Sequence, residues 1–351
     1  MSIKKQYNGY LAEFVKLCKK MNKKGMPYMT VMLNHELFRY LYPLEPCTSF
    51  KNCDPARFIV QHIKRLNRLA EDYLKSVSPY RVDFSKSYLF RFGAGLEKKT
   101  SDIYSDLWKY FDDRTLTRES ATLIRSRLPE NIIKNYIRGK TILDMGCGSG
   151  RYTIALSAMG AKKAVGVDFQ KKSYADAQKY CERKGLPVFF KEADCLKLPF
   201  AKSSFDFVFS NGVLHHTRSI EKGLAEIKRV LKKSGGVFLY LYAKGGIFWD
   251  TRVAMRRIFK DIPLHYTQRV LDMIGMPANR FIFCDSWYVP IETLTKKAGA
   301  EKMFRDFGFE FEKIVSGNPM DMDNAIMKGI KDARVMWGES GEHRYILRQR
   351  S

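Results

Sequence analysis

The stretch ILDMGCGSGRYT, residues Ile142–Thr153, decides the fold class of this chain of 351 residues. It continues a short apolar run that begins at Thr141, and glycines stand at positions 146, 148 and 150. Glycine allows a tight turn and lets a ligand lie close to the backbone. A strand that runs into such a loop and then into a helix is typical of nucleotide binding in an α/β fold.

Asp144 indicates which nucleotide this loop binds. A dinucleotide-binding loop has the spacing G-x-G-x-x-G and places a pyrophosphate at the N-terminus of a helix. The glycines here have a different spacing, and the carboxylate of Asp144 would repel a pyrophosphate. It suits S-adenosyl-L-methionine (SAM), which carries a positive ammonium, a positive sulfonium and no phosphate. We therefore predict SAM as the cofactor and S-adenosyl-L-homocysteine as its product.

Short apolar runs alternate with amphipathic helices around this loop, which predicts a parallel sheet covered by helices on both faces. Two more strands are predicted near the C-terminus, at residues 309–315 and 344–348. The earlier runs are Thr141–Met145, Ala164–Val167, Val188–Phe190, Phe205–Phe209 and Val237–Leu241.

Two further carboxylates follow predicted strands. Asp168 ends AVGVD, about 20 residues beyond the loop, where an acidic residue accepts hydrogen bonds from ribose hydroxyls; capping of the next helix is the alternative. Phe169 is expected to pack on the adenine face. Asp194 is expected to accept from the adenine amino group, with the backbone of Cys195 serving the ring nitrogens; alone, this segment would be a surface loop.

The segment SNGVLHHT, residues 210–217, follows the fourth strand, at the edge where open α/β sheets bind ligands. Its side chains are expected to face the sulfonium methyl group. His215 or His216 is a candidate base, because an unperturbed imidazole titrates near neutrality. Alternatively, the histidines only shape the loop, since positioning and desolvation can promote methyl transfer without a base.

Residues 120–243 resemble the class I, Rossmann-like SAM-dependent methyltransferases, in the group of the ubiquinone and menaquinone C-methylases. The matching stretches are ILDMGCGSGRYT, AVGVDF, EADCLKLPFAKSSFDFVFSNGVLHHT and IKRVLKKSGGVFLYLYA. The resemblance implies a seven-stranded, mostly parallel sheet whose last two strands come from the C-terminal region. It also implies that Asp144 and Gly146 lie near the methionine part of SAM, Asp168 on ribose and Asp194 on adenine. The predicted cofactor contacts are Asp144, Met145, Gly146, Cys147, Gly148, Gly150, Asp168, Phe169, Asp194, Cys195, Ser210, Asn211 and Gly212.

Two motifs of other methylases are missing after the fourth strand. An Asn/Asp-Pro-Pro-Tyr/Phe motif would indicate amino-group methylation of adenine or glutamine, and a Pro-Cys or Thr-Cys pair would indicate cytosine C5 chemistry. Residues 210–213 instead read Ser-Asn-Gly-Val. The sequence contains no evident metal-ligand cluster, so we expect no metal.

The chain divides into four predicted segments. They are a basic, mostly helical N-terminal region (1–115), the SAM-binding core (116–243), an aromatic and basic helical insertion that forms a lid (244–300), and C-terminal strands that complete the sheet (301–351). The first and third segments match no recognised module, so we expect them to determine substrate specificity.

The net charge is +25, from 62 Lys and Arg against 37 Asp and Glu. Such a surface attracts polyanions, anionic membranes or acidic small substrates, although it can also serve solubility alone. No apolar run approaches 18 residues, no leader-like apolar stretch opens the chain, and the seven cysteines lack C-x-x-C spacing. We expect a cytoplasmic protein.

Three functions fit these observations. The first is methylation of an O, N or C atom of a small anionic or amphiphilic metabolite. The second is methylation of RNA, since the Leu-His-His after the fourth strand also resembles the tRNA wobble-uridine carboxymethyl methylases. The third is a SAM-binding scaffold without catalysis.

Overall fold

Seven β-strands form one sheet within the part of the chain that this computed structural model describes, which is residues 2–41, 54–76, 95–108, 115–276, 280–315 and 321–350. In chain order they are β1 Thr141–Met145, β2 Lys163–Asp168, β3 Val188–Glu192, β4 Phe205–Asn211, β5 Leu231–Tyr242, β6 Phe309–Lys313 and β7 Glu342–Gln349. Their order across the sheet is β3-β2-β1-β4-β5-β7-β6.

Strands β1 to β5 pair in parallel, whereas β7 pairs antiparallel with both β5 and β6. Asp144 of β1 lies opposite Gly166 of β2 on one side and Phe209 of β4 on the other. The predicted seven-stranded, mostly parallel sheet, completed by two C-terminal strands, is confirmed. Since the strand order reverses between β1 and β4, their carboxyl ends border the crevice where open α/β sheets bind ligands.

Helices cover both faces of the sheet. Successive side chains of a strand point to opposite faces, so neighbouring apolar residues of one strand pack against helices on different faces. Leu143 belongs to a buried cluster that includes residues of the helix Ile220–Val230. Its neighbour Ile142 belongs to a second cluster, which includes residues of the helix Arg151–Ala158. The predicted Rossmann-like α/β architecture is confirmed, because each face buries its own apolar cluster.

The α-helices within the described residues, in chain order, are α1 Ile3–Lys23, α2 Pro27–Arg39, α3 Pro55–Ser76, α4 Leu96–Trp108, α5 Ser120–Arg127, α6 Glu130–Ile132, α7 Arg151–Ala158, α8 Ala175–Lys184, α9 Ile220–Val230, α10 Gly246–Phe259, α11 Leu264–Met273, α12 Arg280–Tyr288, α13 Lys297–Asp306, α14 Met322–Met327 and α15 Ala333–Trp337. Short 3-10 turns span Lys171–Ser173 and Leu214–His216, and π-helical turns span Thr115–Glu119 and Ile133–Ile137. No helix in the described ranges is both long and apolar enough to cross a bilayer.

The chain forms two units, of which the first is helical. This helical unit contains the described residues of Met1–Arg91, Lys244–Val289 and Pro319–Gly341. Its core is aromatic: Phe259 stacks on Trp287 with ring centroids 4.1 Å apart. The aromatic residues that suggested a lid at 244–300 therefore lie largely in this core.

The second unit contains the whole sheet, and we call it the sheet unit. It comprises the described residues of Phe92–Ala243, Pro290–Asn318 and Glu342–Ser351. Helix α4, which the sequence grouped with the N-terminal region, belongs to this unit. The division into four segments, including a lid, stays a prediction.

Candidate active site

The loop after β1 requires glycine for two reasons, which are its backbone conformation and the lack of space for a Cβ atom. Gly146, Gly148 and Gly150 have φ angles of +79°, +55° and +76°, which L side chains rarely adopt. A Cβ atom at Gly146 would lie 2.5 Å from Cγ2 of Val213. One at Gly150 would lie 2.6 Å from Cβ of Ala177. The loop therefore packs closely both on the segment after β4 and on helix α8.

Asp168 joins this loop to the end of β2. Its Oδ2 accepts a hydrogen bond of 3.0 Å from the N–H of Gly148. The N–H groups of Gly146 and Cys147 donate to the carbonyl of Val167 at 2.9 and 2.8 Å. Desolvation by burial raises the pKa of Asp168, although backbone N–H donors oppose the rise. The carboxylate is therefore held at the edge of the loop by backbone donors that no side-chain substitution removes.

Asp144 lies deeper, below the loop. Its side chain is buried, and Oδ2 accepts a 2.6 Å hydrogen bond from Oγ1 of Thr153. Desolvation raises the pKa of Asp144 to about 7, the Thr153 hydrogen bond opposes this, and the nearby charge of Asp168 adds to it. Met145 points its side chain into the buried apolar cluster, so only its backbone borders the loop.

The residues after β3 lie at the same edge of the sheet. Oδ1 of Asp194 accepts from the N–H of Leu196 at 2.8 Å, and a guanidinium nitrogen of Arg218 lies 3.6 Å from Oδ2. Cys195 is buried in the apolar cluster, which leaves its backbone for a ligand. Phe169 is 38% exposed, so its ring is accessible for stacking.

Two polar atoms at the end of β4 are buried without a hydrogen-bond partner among the described residues. They are Oγ of Ser210 and Oδ1 of Asn211. Gly212 follows with φ +80°, and its N–H donates to the carbonyl of Tyr240 at 3.3 Å. Unpaired buried polar atoms are costly, so these two oxygens are available to accept hydrogen bonds.

The two candidate base histidines have different surroundings. His215 is fully buried and stacks on Tyr242 with ring centroids 3.7 Å apart. Nδ1 of His216 lies 2.7 Å from the carbonyl oxygen of Ile291, and its Nε2 lies 3.0 Å from the hydroxyl of Tyr104. A carbonyl only accepts, so Nδ1 carries a proton; when the ring is neutral, Nε2 then accepts from Tyr104. His216 therefore faces a second acid–base group, the Tyr104 hydroxyl, at hydrogen-bond distance.

Sequence reasoning missed helix α4, which supplies Tyr104. The hydroxyls of Ser105 and Ser173 lie 2.8 Å apart, and Nε2 of Gln170 donates to Oδ1 of Asp102 at 3.0 Å. The helix thus packs beside the segment that follows Asp168. Tyr104 and His216 are 112 residues apart in the chain, and no local pattern in the sequence signals their contact.

Residues 143–239 match the family model described as a methyltransferase domain. These residues form a methyltransferase domain. The predicted family is thereby confirmed, and the matched residues run from β1 to β5 of the sheet unit.

The methyltransferase domain is similar to curated enzymes with different substrates. A sterol 24-C-methyltransferase of Gibberella zeae is 28% identical over 216 residues, which is 56% of this chain and 53% of that protein. A tRNA U34 carboxymethyltransferase of Alcanivorax borkumensis is 37% identical over 106 residues, or 29% of this chain and 32% of that protein. The solved YcgJ protein of Bacillus subtilis aligns with a TM-score of 0.43 and 20% identity over 67% of this chain and 100% of that one.

The chain thus spans about half the length of the sterol relative and about a third of the tRNA relative. The methyltransferase domain brings the predicted cofactor residues together at one edge of its sheet, at the carboxyl ends of β1 to β4.

Proposed function

We propose that this protein transfers the methyl group of SAM to an O, N or C atom of a small anionic or amphiphilic metabolite. The observation that carries the proposal is the carboxylate of Asp168, held by the Gly148 N–H at 3.0 Å beside the switch point of the sheet. A carboxylate in this place suits the ribose hydroxyls of a nucleoside. The buried carboxylate of Asp144, below the glycine loop, disfavours a pyrophosphate.

The residues at this edge fit SAM. The glycine loop leaves no room for a Cβ at Gly146, as expected where a ligand lies against the backbone. The unpaired oxygens of Ser210 and Asn211 can accept hydrogen bonds. We assign Asp168 to ribose, and Asp194, the Cys195 backbone and the ring of Phe169 to adenine.

The remaining predicted contacts are assigned to the methionine part of SAM. They lie at the ends of β1 and β4 and are Asp144, Gly146, Gly148 and Gly150, the backbones of Met145 and Cys147, and Ser210, Asn211 and Gly212. When bound, SAM supplies a methyl group on a positively charged sulfur. The chain itself contributes carboxylates that favour the cation and buried walls that exclude water.

Two observations support a small acceptor. Aromatic side chains line the segment beside Gly212: His215 stacks on Tyr242, and the rings of Tyr240 and Tyr242 lie 5.8 Å apart. Aromatic walls with a few polar groups are typical of sites for compact organic ligands. The longer alignment, over 216 residues, is also with a sterol methyltransferase rather than a tRNA enzyme.

RNA methylation is the second candidate function. The 37% identity to a tRNA U34 carboxymethyltransferase and the net charge of +25 favour it. A protein that contacts 6–10 phosphates loses roughly 10³–10⁵-fold in affinity between about 50 and 200 mM salt. Binding of total tRNA that does not weaken over this range of salt would contradict this candidate.

The deciding experiment incubates the protein with methyl-labelled SAM and a cell extract, which is then separated into RNA, lipid, protein and small-molecule fractions. We expect label in the small-molecule or lipid fraction with the wild type and none with Asp168→Ala. Label in RNA alone would favour the second candidate. SAM binding without label in any fraction would indicate a scaffold without catalysis and overturn both.

A further inference from the structure

We propose that Tyr104 takes the proton of the methyl acceptor, and that His216 holds Tyr104 in place and receives its proton. The inference rests on the proposed methyl transfer and adds Tyr104, which the sequence did not reveal, to the candidate base His216. It concerns acceptors that lose a proton when they are methylated.

The first support is the direction of the hydrogen bonds. Nδ1–H of His216 donates to the Ile291 carbonyl at 2.7 Å, which fixes the ring's orientation and tautomer. In the neutral ring, Nε2 then has its lone pair directed at the Tyr104 hydroxyl, 3.0 Å away. A phenol that donates to a neutral imidazole has a ready acceptor for its proton.

The second support is position relative to the glycine loop. The backbone N–H of His216 donates to the carbonyl of Val213 at 2.8 Å, so the short turn that carries both histidines is fixed to Val213. Val213 is the residue that a Cβ at Gly146 would strike. His216 therefore lies one short turn from the loop that we assign to the methionine part of SAM.

The third support is the anchoring of helix α4. Asp102 accepts from Gln170 and pairs with Lys172, and Ser105 bonds to Ser173. These contacts tie the helix to the segment after Asp168, which we assign to ribose. Tyr104 lies between Asp102 and Ser105 in this helix, so the same turn that is anchored to the segment after Asp168 also meets His216.

These contacts connect the glycine loop to Tyr104 by two routes within the sheet unit. One route passes from Gly148 to Asp168 by a 3.0 Å hydrogen bond, and then through the segment after Asp168 to helix α4. The other passes through Val213 to His216, which meets Tyr104. Both routes lead to the carboxyl ends of the strands, where we place the cofactor, and acid–base catalysis requires such a fixed proton acceptor near the reacting atoms.

The proton transfer balances as follows. The acceptor's lone pair forms the new bond to the methyl carbon, and the electrons of the sulfur–carbon bond stay on sulfur. The acceptor's proton passes to Oη of Tyr104 while the phenol's own proton passes to Nε2 of His216. The ring becomes an imidazolium that still donates Nδ1–H to Ile291, and it later releases the proton to solvent.

Tyr104→Phe tests the proposal, because phenylalanine keeps the ring that meets His216 edge-on, at a centroid distance of 5.7 Å. The methyl acceptor in this assay is the fraction that becomes labelled when the wild-type protein is incubated with the cell extract. We expect kcat to fall by roughly 10²–10⁴-fold, the usual contribution of a general base, with the Kd for SAM within about twofold of the wild type. Tyr345→Phe, which removes a hydroxyl bonded to Glu301 at 2.9 Å, is the matched control and should retain kcat.

A second readout does not depend on methyl transfer. In ¹⁵N spectra of the protein bound to S-adenosyl-L-homocysteine, Tyr104→Phe should shift the Nε2 resonance of His216 and leave its Nδ1–H tautomer unchanged.

The activities of the variants provide a third test. Tyr104 and His216 should act as one unit, so Tyr104→Phe combined with His216→Asn should lose no more activity than the worse single variant.

A Tyr104→Phe enzyme with kcat within threefold of the wild type would overturn the inference, as would an unmoved Nε2 resonance or additive losses in the double variant. Such a result leaves the proposed function intact. A wild-type protein that labels no fraction would instead overturn the proposed function and this inference with it.

Discussion

Oγ1 of Thr153 donates a 2.6 Å hydrogen bond to Oδ2 of Asp144, and both side chains are buried. The two residues face each other because β1 ends and helix α7 begins within the same glycine loop. This donor only partly offsets the loss of water around the carboxylate, so the pKa of Asp144 remains raised to about 7. A nearby cationic ligand would favour the ionised form of Asp144 and lower its pKa. Cofactor binding is therefore linked to the loss of a proton from Asp144.

Asp144 should make the ligand-free protein less stable as the pH rises from about 4 to 7. In this range the folded protein holds a proton on Asp144 that the unfolded chain has already lost, so the free energy of unfolding falls with increasing pH. Asp144→Asn should flatten this part of the profile in urea unfolding. Asp176→Asn, at an exposed carboxylate, is the control and should leave it unchanged. A profile that Asp144→Asn does not alter would show that Asp144 is ionised throughout.

His343 should have the opposite dependence on pH. Desolvation lowers its pKa to about 4, while its Nε2 bonds to the Thr295 carbonyl at 2.8 Å. Between pH 6.5 and 4 the unfolded chain binds a proton that the folded protein does not, so stability falls as the pH falls. The loss is about 2 kcal/mol at pH 5. His343→Gln keeps a donor for Thr295 and should shrink the difference in unfolding free energy between pH 7 and pH 5; an undiminished difference would exclude His343 as its source.

Gly146→Ala should destabilise the protein more than Gly185→Ala does. Both positions have positive φ, +79° and +61°, so each alanine costs about 1–2 kcal/mol of backbone strain. At Gly185 a Cβ would meet nothing within 4 Å, whereas at Gly146 it would strike Val213. We expect a further cost of about 1–3 kcal/mol for Gly146→Ala from overpacking. Equal losses in urea unfolding would show that Val213 moves aside freely.

Asp168→Ala should weaken SAM binding by at least about 100-fold, measured by calorimetry. It removes two proposed charge-assisted hydrogen bonds to ribose, each contributing about 1.5–3 kcal/mol. It also leaves the N–H of Gly148 without its partner at 3.0 Å. Asp168→Asn keeps an oxygen for that N–H and should lose less affinity. Retained micromolar affinity in Asp168→Ala would show that the ribose assignment is wrong.

Much of the fold could be predicted because its signals are local. Apolar runs of strand length indicate β1, β2 and β4. The glycines between β1 and helix α7 indicate a turn whose backbone conformation other residues rarely adopt. The carboxylates Asp168 and Asp194 follow strands, and the carboxyl ends of parallel strands meet at one edge of a sheet. The position of these carboxylates at one edge of the sheet was therefore predictable from residue type and spacing, and their roles toward SAM stay predictions.

The sequence by itself determined the α/β class with its seven strands, the glycine loop and the family of the methyltransferase domain. Only the tertiary structure decided that His216 meets the Tyr104 hydroxyl and His215 stacks on Tyr242, because the two histidines are adjacent in the chain and differ in what packs against them. It also decided that helix α4 brings Tyr104 to His216 across 112 residues, and that aromatic residues such as Trp287 fill a helical core. The physical reason is that strand and turn preferences depend on near neighbours, whereas a contact between distant segments depends on the packing of the whole unit.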